Sequence, residues 1–345
     1  MFNRFILLSL FIATLFSCTK DDNSIQKDYS RGTFIVNEGL FNSGTGTITY
    51  LNDDEQIDDI FELQNPGLVL GNIAQSMIFH DNKYFIAVNN SAKIVVVNAV
   101  DFKYIGEIPV NLPRYFVNSN GKLYVTSWSS DFTSGFINLI DTKTLTISKS
   151  TAIQGLAEKM LSKDNNVYIT VTASEWDPLN HHVVVYDTQK EVLTGTIEAG
   201  DNTNDLALDK NGDIWLLCSG FTNYTDPGLS TDGSIHKIVN NKVAFSKKLP
   251  NGCQKLVVNN NKSELYYLNG SSVIELNITK PDEDSKAVYS GLFYNLAIHP
   301  VNDNFYLLNA KDFQQKGELT ILNKDFKQVK NVTTGIIPAF VYFNN

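Results

Sequence analysis

Seven pairs of adjacent residues stand at equivalent points of a recurring pattern in this 345-residue chain: Ser76 and Met77, Arg114 and Tyr115, Glu158 and Lys159, Asn204 and Asp205, Gln254 and Lys255, Tyr294 and Asn295, Pro338 and Ala339. Six of the seven bring a polar side chain, so if one structure gathers them they offer donors, acceptors and charges of both signs. Such a ring suits a large, polar but nearly neutral ligand better than a polyanion, which calls for a field of one sign. A second set is aromatic. Phe41, Trp128, Phe132, Trp176, Phe221, Tyr224 and Phe313 fall in polar loops, where a ring with little core to enter can stack on a flat ligand.

Other chemistries are less well supplied. Hydrolysis around a central calcium would need about six to eight oxygen ligands. Glu158, Asn204, Asp205 and Asn295 could contribute, but Arg114, Lys159 and Lys255 would stand beside them and oppose a cation. His80 and His299 fall in turns, His236 falls within a strand, and the neighbours His181 and His182 would point to opposite faces of one. Cys218 and Cys253 make neither a disulfide framework nor a zinc spacing, and two separate buried thiols are the expectation. There is no haem-attachment or nucleophile-elbow motif, so no catalytic or metal-ligating residue is assigned.

The elements that must position these residues repeat. Apolar strand, turn with Asn, Gly or Asp, and aromatic-rich strand recur at 77–88, 115–125, 159–169, 205–216, 255–267 and 295–307. Third strands follow at 93–98, 136–141, 182–187, 234–239, 272–277 and 318–323. A spacing of roughly 40 to 50 residues is that of a four-stranded propeller blade. The ends supply a seventh blade. Residues 32–37, 46–51 and 57–63 read as second, third and fourth strands, and 339–343 as the missing first strand. The expected fold is therefore all-β, a seven-bladed β-propeller over 31–345, latched by its own C-terminus. In that fold the second-to-third-strand loops (37–46, 128–135, 173–181, 220–233 and 310–317) share one face with the starts of the first strands. The predicted ligand-binding set is Trp128, Trp176, Phe132, Phe221, Tyr224, Arg114, Tyr115, Glu158, Asn204, Asp205, Gln254, Tyr294 and Asn295.

The N-terminus reads as processing rather than fold. Arg4, the apolar run 5–16 and Leu15 to Cys18 resemble a lipoprotein export signal, which implies cleavage after residue 17 and a lipid anchor on Cys18. Residues 18–30 read as a polar tether, and Thr19 to Asp22 resembles a short tag for display on the outer cell surface. Net charge is −9, and −10 once Arg4 is removed, with no basic cluster. Nucleic acid is thereby a poor partner.

The blade pattern resembles the YncE-like bacterial propellers along 31–345. The opening Phe34 to Gly39 (FIVNEG), followed by Asn42 to Ile48, is similar to a narrower group, the surface lipoproteins that capture vitamin B12 and cap a TonB-dependent B12 transporter. That resemblance implies a cobalamin or related corrinoid as transported ligand, with no cofactor of the protein's own. It also implies a TonB-dependent outer-membrane transporter as partner and a lipid-anchored, outward-facing position in the outer membrane. A corrinoid, with peripheral amides, an apolar ring and a nucleotide tail, fits the polar ring and aromatic loops. A surface glycan or a protein partner fits them too, and a metal-dependent lactonase-type hydrolase is the third reading.

Overall fold

The computed structural model describes residues 27–53, 55–172 and 180–344; Cys18 and Trp176 lie outside the described residues. Seven four-stranded antiparallel sheets form the expected all-β, seven-bladed propeller. Six blades run consecutively over 74–109, 113–154, 156–198, 203–249, 254–290 and 295–336, and are called the second to seventh blades. The closing blade joins the two ends of the chain. Its first strand, Pro338–Asn344, pairs antiparallel with Gly32–Asn37, which pairs with Thr47–Leu51 and then Gln56–Ile57.

Each inner strand feeds two cores because side chains alternate across its faces. In the third blade Leu123 and Val125 pack against Phe85, Ile94 and Val96 of the blade before, while Tyr124 between them packs against Val167, Ile169 and Tyr186 of the blade after. The same arithmetic around the ring gives seven apolar clusters, one in each seam. Glycine at the start of the third strand lets the blades approach. A Cβ on Gly135 would lie 2.4 Å from the Ala157 nitrogen, and one on Gly317 would lie 2.3 Å from the ring of Pro338.

Two local readings are corrected. Residues 57–63 were expected to be a fourth strand, yet only Gln56–Ile57 pairs and Ile60–Gln64 is a helical turn. The apolar residues Ile57, Ile60 and Phe61 sit at helical spacing, and all three are buried in the aromatic seam of Phe34, Tyr84 and Phe102. Asp59, left-handed with φ 50°, breaks the strand just before the helix. Tyr29, read from sequence as tether, is also buried there. Its carbonyl accepts from the Tyr84 hydroxyl at 2.9 Å and its N–H donates to Val100 O at 2.8 Å. Val100 lies between a third and a fourth strand, so the chain enters the ring on the face opposite the first-strand starts.

Candidate functional site

The central mouth is built from a repeated irregularity. In six of the seven blades the pairing of first with second strand slips at the start of the first strand, for example between Pro113 and Phe116, Ala157 and Met160, and Gln254 and Val257. A bulge bends the strand and re-aims its side chains. Consecutive residues, which a regular strand would point to opposite faces, here line one cavity: Arg114 with Tyr115, and Glu158 with Lys159. Two buried threonines hold these bulges. Thr126 Oγ1 accepts from Tyr115 N–H at 3.1 Å and donates to Glu158 O at 2.7 Å, and Thr170 Oγ1 accepts from Lys159 N–H at 3.0 Å. Each is a threonine in the fifth place of its second strand, in KLYVTSW and NVYITVT, and that shared position in the repeat is the sequence signal that marks them.

The cavity has a volume of about 150 Å³. Arg114, Tyr115, Glu158, Asn204 and Tyr294 line it as expected, together with Lys159 and Lys255. Asp205 stands beside it, its carboxylate 4.0 Å from Lys159 Nζ. In the second blade the bulge between Ala74 and Ser76 puts Gln75 at the mouth, in place of Ser76 and Met77. Met77 is buried in a seam, and Ser76 donates to Arg114 O at 2.6 Å. Gln254 lines a neighbouring cavity of about 280 Å³ with Leu292, Tyr294 and Phe313. Asn295 turns into the seam, where its amide donates to Ala339 O and accepts from Leu296 N–H at 2.7 Å.

One arc of the mouth is saturated with charge pairs. The Arg114 guanidinium reaches both Glu158 oxygens, with Nη2 to Oε1 at 2.6 Å, and Nη1 donates to Gln75 at 2.6 Å. Its Cζ lies 4.1 Å from the centre of the Trp128 ring. Lys159 Nζ lies 4.1 Å above the Tyr115 ring. Burial alone would depress the Lys159 ammonium, but Asp205, Tyr115 and Glu158 outweigh it and hold its pKa above the ordinary value. The opposite arc is sparse. Burial, with the Lys159 charge adding to it, pushes Lys255 down to about 8, and its Nζ sits 5.9 Å from the Tyr294 ring. The Tyr294 hydroxyl is 3.4 Å from Glu38, a carboxyl that burial raises above its usual range against the pull of Lys255 and Arg114. Glu38 belongs to the FIVNEG segment. The rest of that segment is scaffolding: the Asn37 amide donates within its blade, and Gly39, at φ 76°, would put a Cβ 2.3 Å from the Thr45 backbone.

The loop aromatics divide. Trp128 folds down to the mouth, its Nε1 donating to Ala157 O at 2.7 Å, and Phe132 meets it edge-on at 6.2 Å while 49% exposed. Phe313 meets Tyr294 edge-on at 5.4 Å. Phe221 is half-buried, bridged to Thr231, whereas Tyr224 is 93% exposed. Leu292, in a blade-to-blade connection of the same face, is 72% exposed, and a reading confined to aromatics missed it. Away from the mouth, Cys218 and Cys253 are free and buried, with burial pushing their thiols up to about 12 and about 11.

Residues 31–334 match the family described as a domain of unknown function, DUF5074. The chain belongs to that family. No curated protein matches the DUF5074 chain. Among solved structures it is similar to hydrazine synthase of Kuenenia stuttgartiensis, at 15% identity and a TM-score of 0.63, over 81% of this chain and 97% of that one. It is similar also to a quinonprotein alcohol dehydrogenase-like protein of Bacteroides thetaiotaomicron, at 16% identity and a TM-score of 0.66, over 92% and 79%. A third is a putative 6-phosphogluconolactonase of Bacteroides fragilis, at 10% identity and a TM-score of 0.65, over 91% and 98%. At such identities the likeness is one of fold, and it includes enzymes.

Proposed function

We propose that this DUF5074 propeller is a surface lipoprotein that captures a corrinoid across its mouth face and passes it to a TonB-dependent outer-membrane transporter. The observation that carries the reading is the pairing of a polar, mixed-charge mouth with exposed apolar groups on the same face, Phe41, Phe132, Tyr224, Leu292 and Phe313. An apolar ring fringed with amides needs both. At about 150 Å³ the central cavity is smaller than the roughly 300–1,000 Å³ of sites that enclose a ligand, so the ligand would lie over the mouth rather than inside it. The FIVNEG resemblance supports the corrinoid in particular.

Two further observations favour capture over hydrolysis and fit the anchored position. Glu158 and Asp205, two of the oxygen ligands a central cation would use, already face Arg114 and Lys159. The chain enters the ring on the face opposite the mouth, so a tether from a lipidated Cys18 would leave the mouth free. The test is calorimetry with cyanocobalamin in buffer containing EDTA. Tight one-to-one binding is expected. No heat and no thermal stabilisation would sink the corrinoid and turn the reading to a glycan or a protein partner.

A further inference from the structure

Lys255 is the mouth's uncompensated cation. Among the described residues its ammonium has no carboxylate within 4.0 Å and no side-chain hydrogen-bond partner, although it lines the cavity. The charged and titratable groups around it come from five blades. Arg114 and Tyr115 belong to the third, Glu158 and Lys159 to the fourth, Asp205 to the fifth, Tyr294 to the strand-start of the seventh and Glu38 to the closing blade. Glu158 is committed to Arg114, Asp205 faces Lys159, and burial disfavours the ionised form of Glu38. Three cations therefore face two committed carboxylates. The backbone adds an independent sign. Lys255 lies in the left-handed region, φ 61°, inside a strand, and its N–H is pinned by Asn204 Oδ1 at 3.1 Å. A non-glycine residue held there is strained, and such strain gathers at ligand sites.

We propose that Lys255 anchors an oxyanion subsite, in which the mouth takes one phosphate or carboxylate group of its ligand between the Lys255 and Lys159 ammoniums. This rests on the reading of the mouth face as the binding face and adds that the ligand carries a single anionic group. One such group fits the cavity, where the body of a large ligand does not. It would supply the charge that the open arc lacks. No covalent step is involved, and anion binding favours the protonated lysine.

Sulfate is the first probe, because its own charge is constant between pH 7 and 9.5; acetate is the second. Binding is followed in the intact protein through lysine side-chain carbon resonances, with Lys255 assigned from its variants. With a Lys255 pKa of about 8, sulfate binding should weaken roughly thirty-fold from pH 7 to pH 9.5, as the protonated fraction falls. Lys255→Met should weaken it at least tenfold at pH 7. Lys255→Arg should bind and lose the pH dependence, because a guanidinium does not titrate in that range; this arm stands even if the methionine variant fails to fold. Preference for sulfate over acetate assigns a phosphate group, and the reverse a carboxylate. Binding of neither anion overturns the proposal, as does a Lys255 titration at or above 10.5, which would mean that a carboxylate of the protein itself pairs it. Cyanocobalamin is titrated separately. If sulfate binds and cyanocobalamin does not, the subsite stands and the corrinoid reading falls.

Discussion

The two arcs of the mouth are made from the same structural device and put to different use. Between Arg114 and Asp205, bulged strand starts present charges that find each other: guanidinium on carboxylate, ammonium beside carboxylate, cations over the rings of Trp128 and Tyr115. Between Lys255 and Glu38, buried groups are left without close opposite partners among the described residues, with Tyr294 standing between them. The paired arc has the character of a finished wall. The sparse arc bears the desolvation of an ammonium that no carboxylate among the described residues repays at close range, which is what a site awaiting a ligand has to do.

Both arcs depend on one segment. At the start of the closing strand, Phe340 packs on Tyr115 and under Lys159, while Ala339 O accepts from Asn295 on the other side. Removing the last ten residues takes away that strand and the whole of its pairing with Gly32–Asn37, leaving the inner edge of Gly32–Asn37 unpaired. The largest expected effect is therefore loss of the cooperative thermal transition in the truncated protein. A melting curve superimposable on that of the intact chain would mean that the ring does not depend on its latch.

Within a closed ring the two arcs should respond unequally to loss of a carboxylate. Glu158→Ala strands a buried guanidinium that now reaches both carboxylate oxygens, and should cost about 3–5 kcal/mol in denaturant unfolding at pH 7. Glu38→Gln on the sparse arc removes a carboxyl that burial already disfavours as an anion, and should change stability by less than about 1 kcal/mol. Equal costs at the two positions would erase the distinction between a paired and a waiting arc.

The same contrast predicts a pH dependence of definite sign. A lysine whose folded pKa is about 8, against 10.5 when exposed, binds fewer protons folded than unfolded between those values. Its burial therefore costs stability fully below pH 8, and that cost is relieved as pH rises from 8 toward 10.5. Lys255→Met should stabilise the protein at pH 7 by up to about 3 kcal/mol, and the gain should shrink as pH rises through that window. A destabilising substitution at pH 7 would show that the ammonium is already compensated.

Much of this was legible in the chain and some was not, for identifiable reasons. The repeat and the closing strand follow from the recurring pattern of apolar residues and turn formers, aligning the repeats places the first-strand starts at the mouth, and alternation within each strand assigns its faces. What alternation cannot register is a slip of one residue. The bulge in the second blade replaces Ser76 and Met77 with Gln75 at the mouth. Asn295 was lost to the seam because a backbone carbonyl and a backbone N–H captured its amide, a competition invisible at the level of residue type. Residues 57–63 satisfy both periods, two and 3.6, over so short a stretch that the buried seam decides. Lys255 was visible as one member of a paired position and as an objection to a cation; its lack of a close carboxylate among the described residues is a property of the assembled ring.

The last contrast concerns the rim rather than the wall. Trp128 joins the two, its ring stacked on Arg114 and its indole N–H given to Ala157 O, so the side chain is held rigid with Phe132 exposed beside it. A ring already ordered loses little freedom on meeting a flat ligand, which is why such anchors dominate binding surfaces. Trp128→Ala should weaken cyanocobalamin binding at least tenfold in calorimetry, about 1.4 kcal/mol. Because the indole also shields Arg114, the substitution should leave the Arg114–Glu158 pair in place yet more exposed, with a modest loss in melting temperature. Phe132→Ala, at a residue 49% exposed and making only an edge contact, separates the two roles: it should lower affinity without moving the melting temperature. If neither substitution changes the dissociation constant, the ligand does not use this side of the rim. The exposed groups near the sparse arc, Leu292 and Phe313, then become the ones to remove.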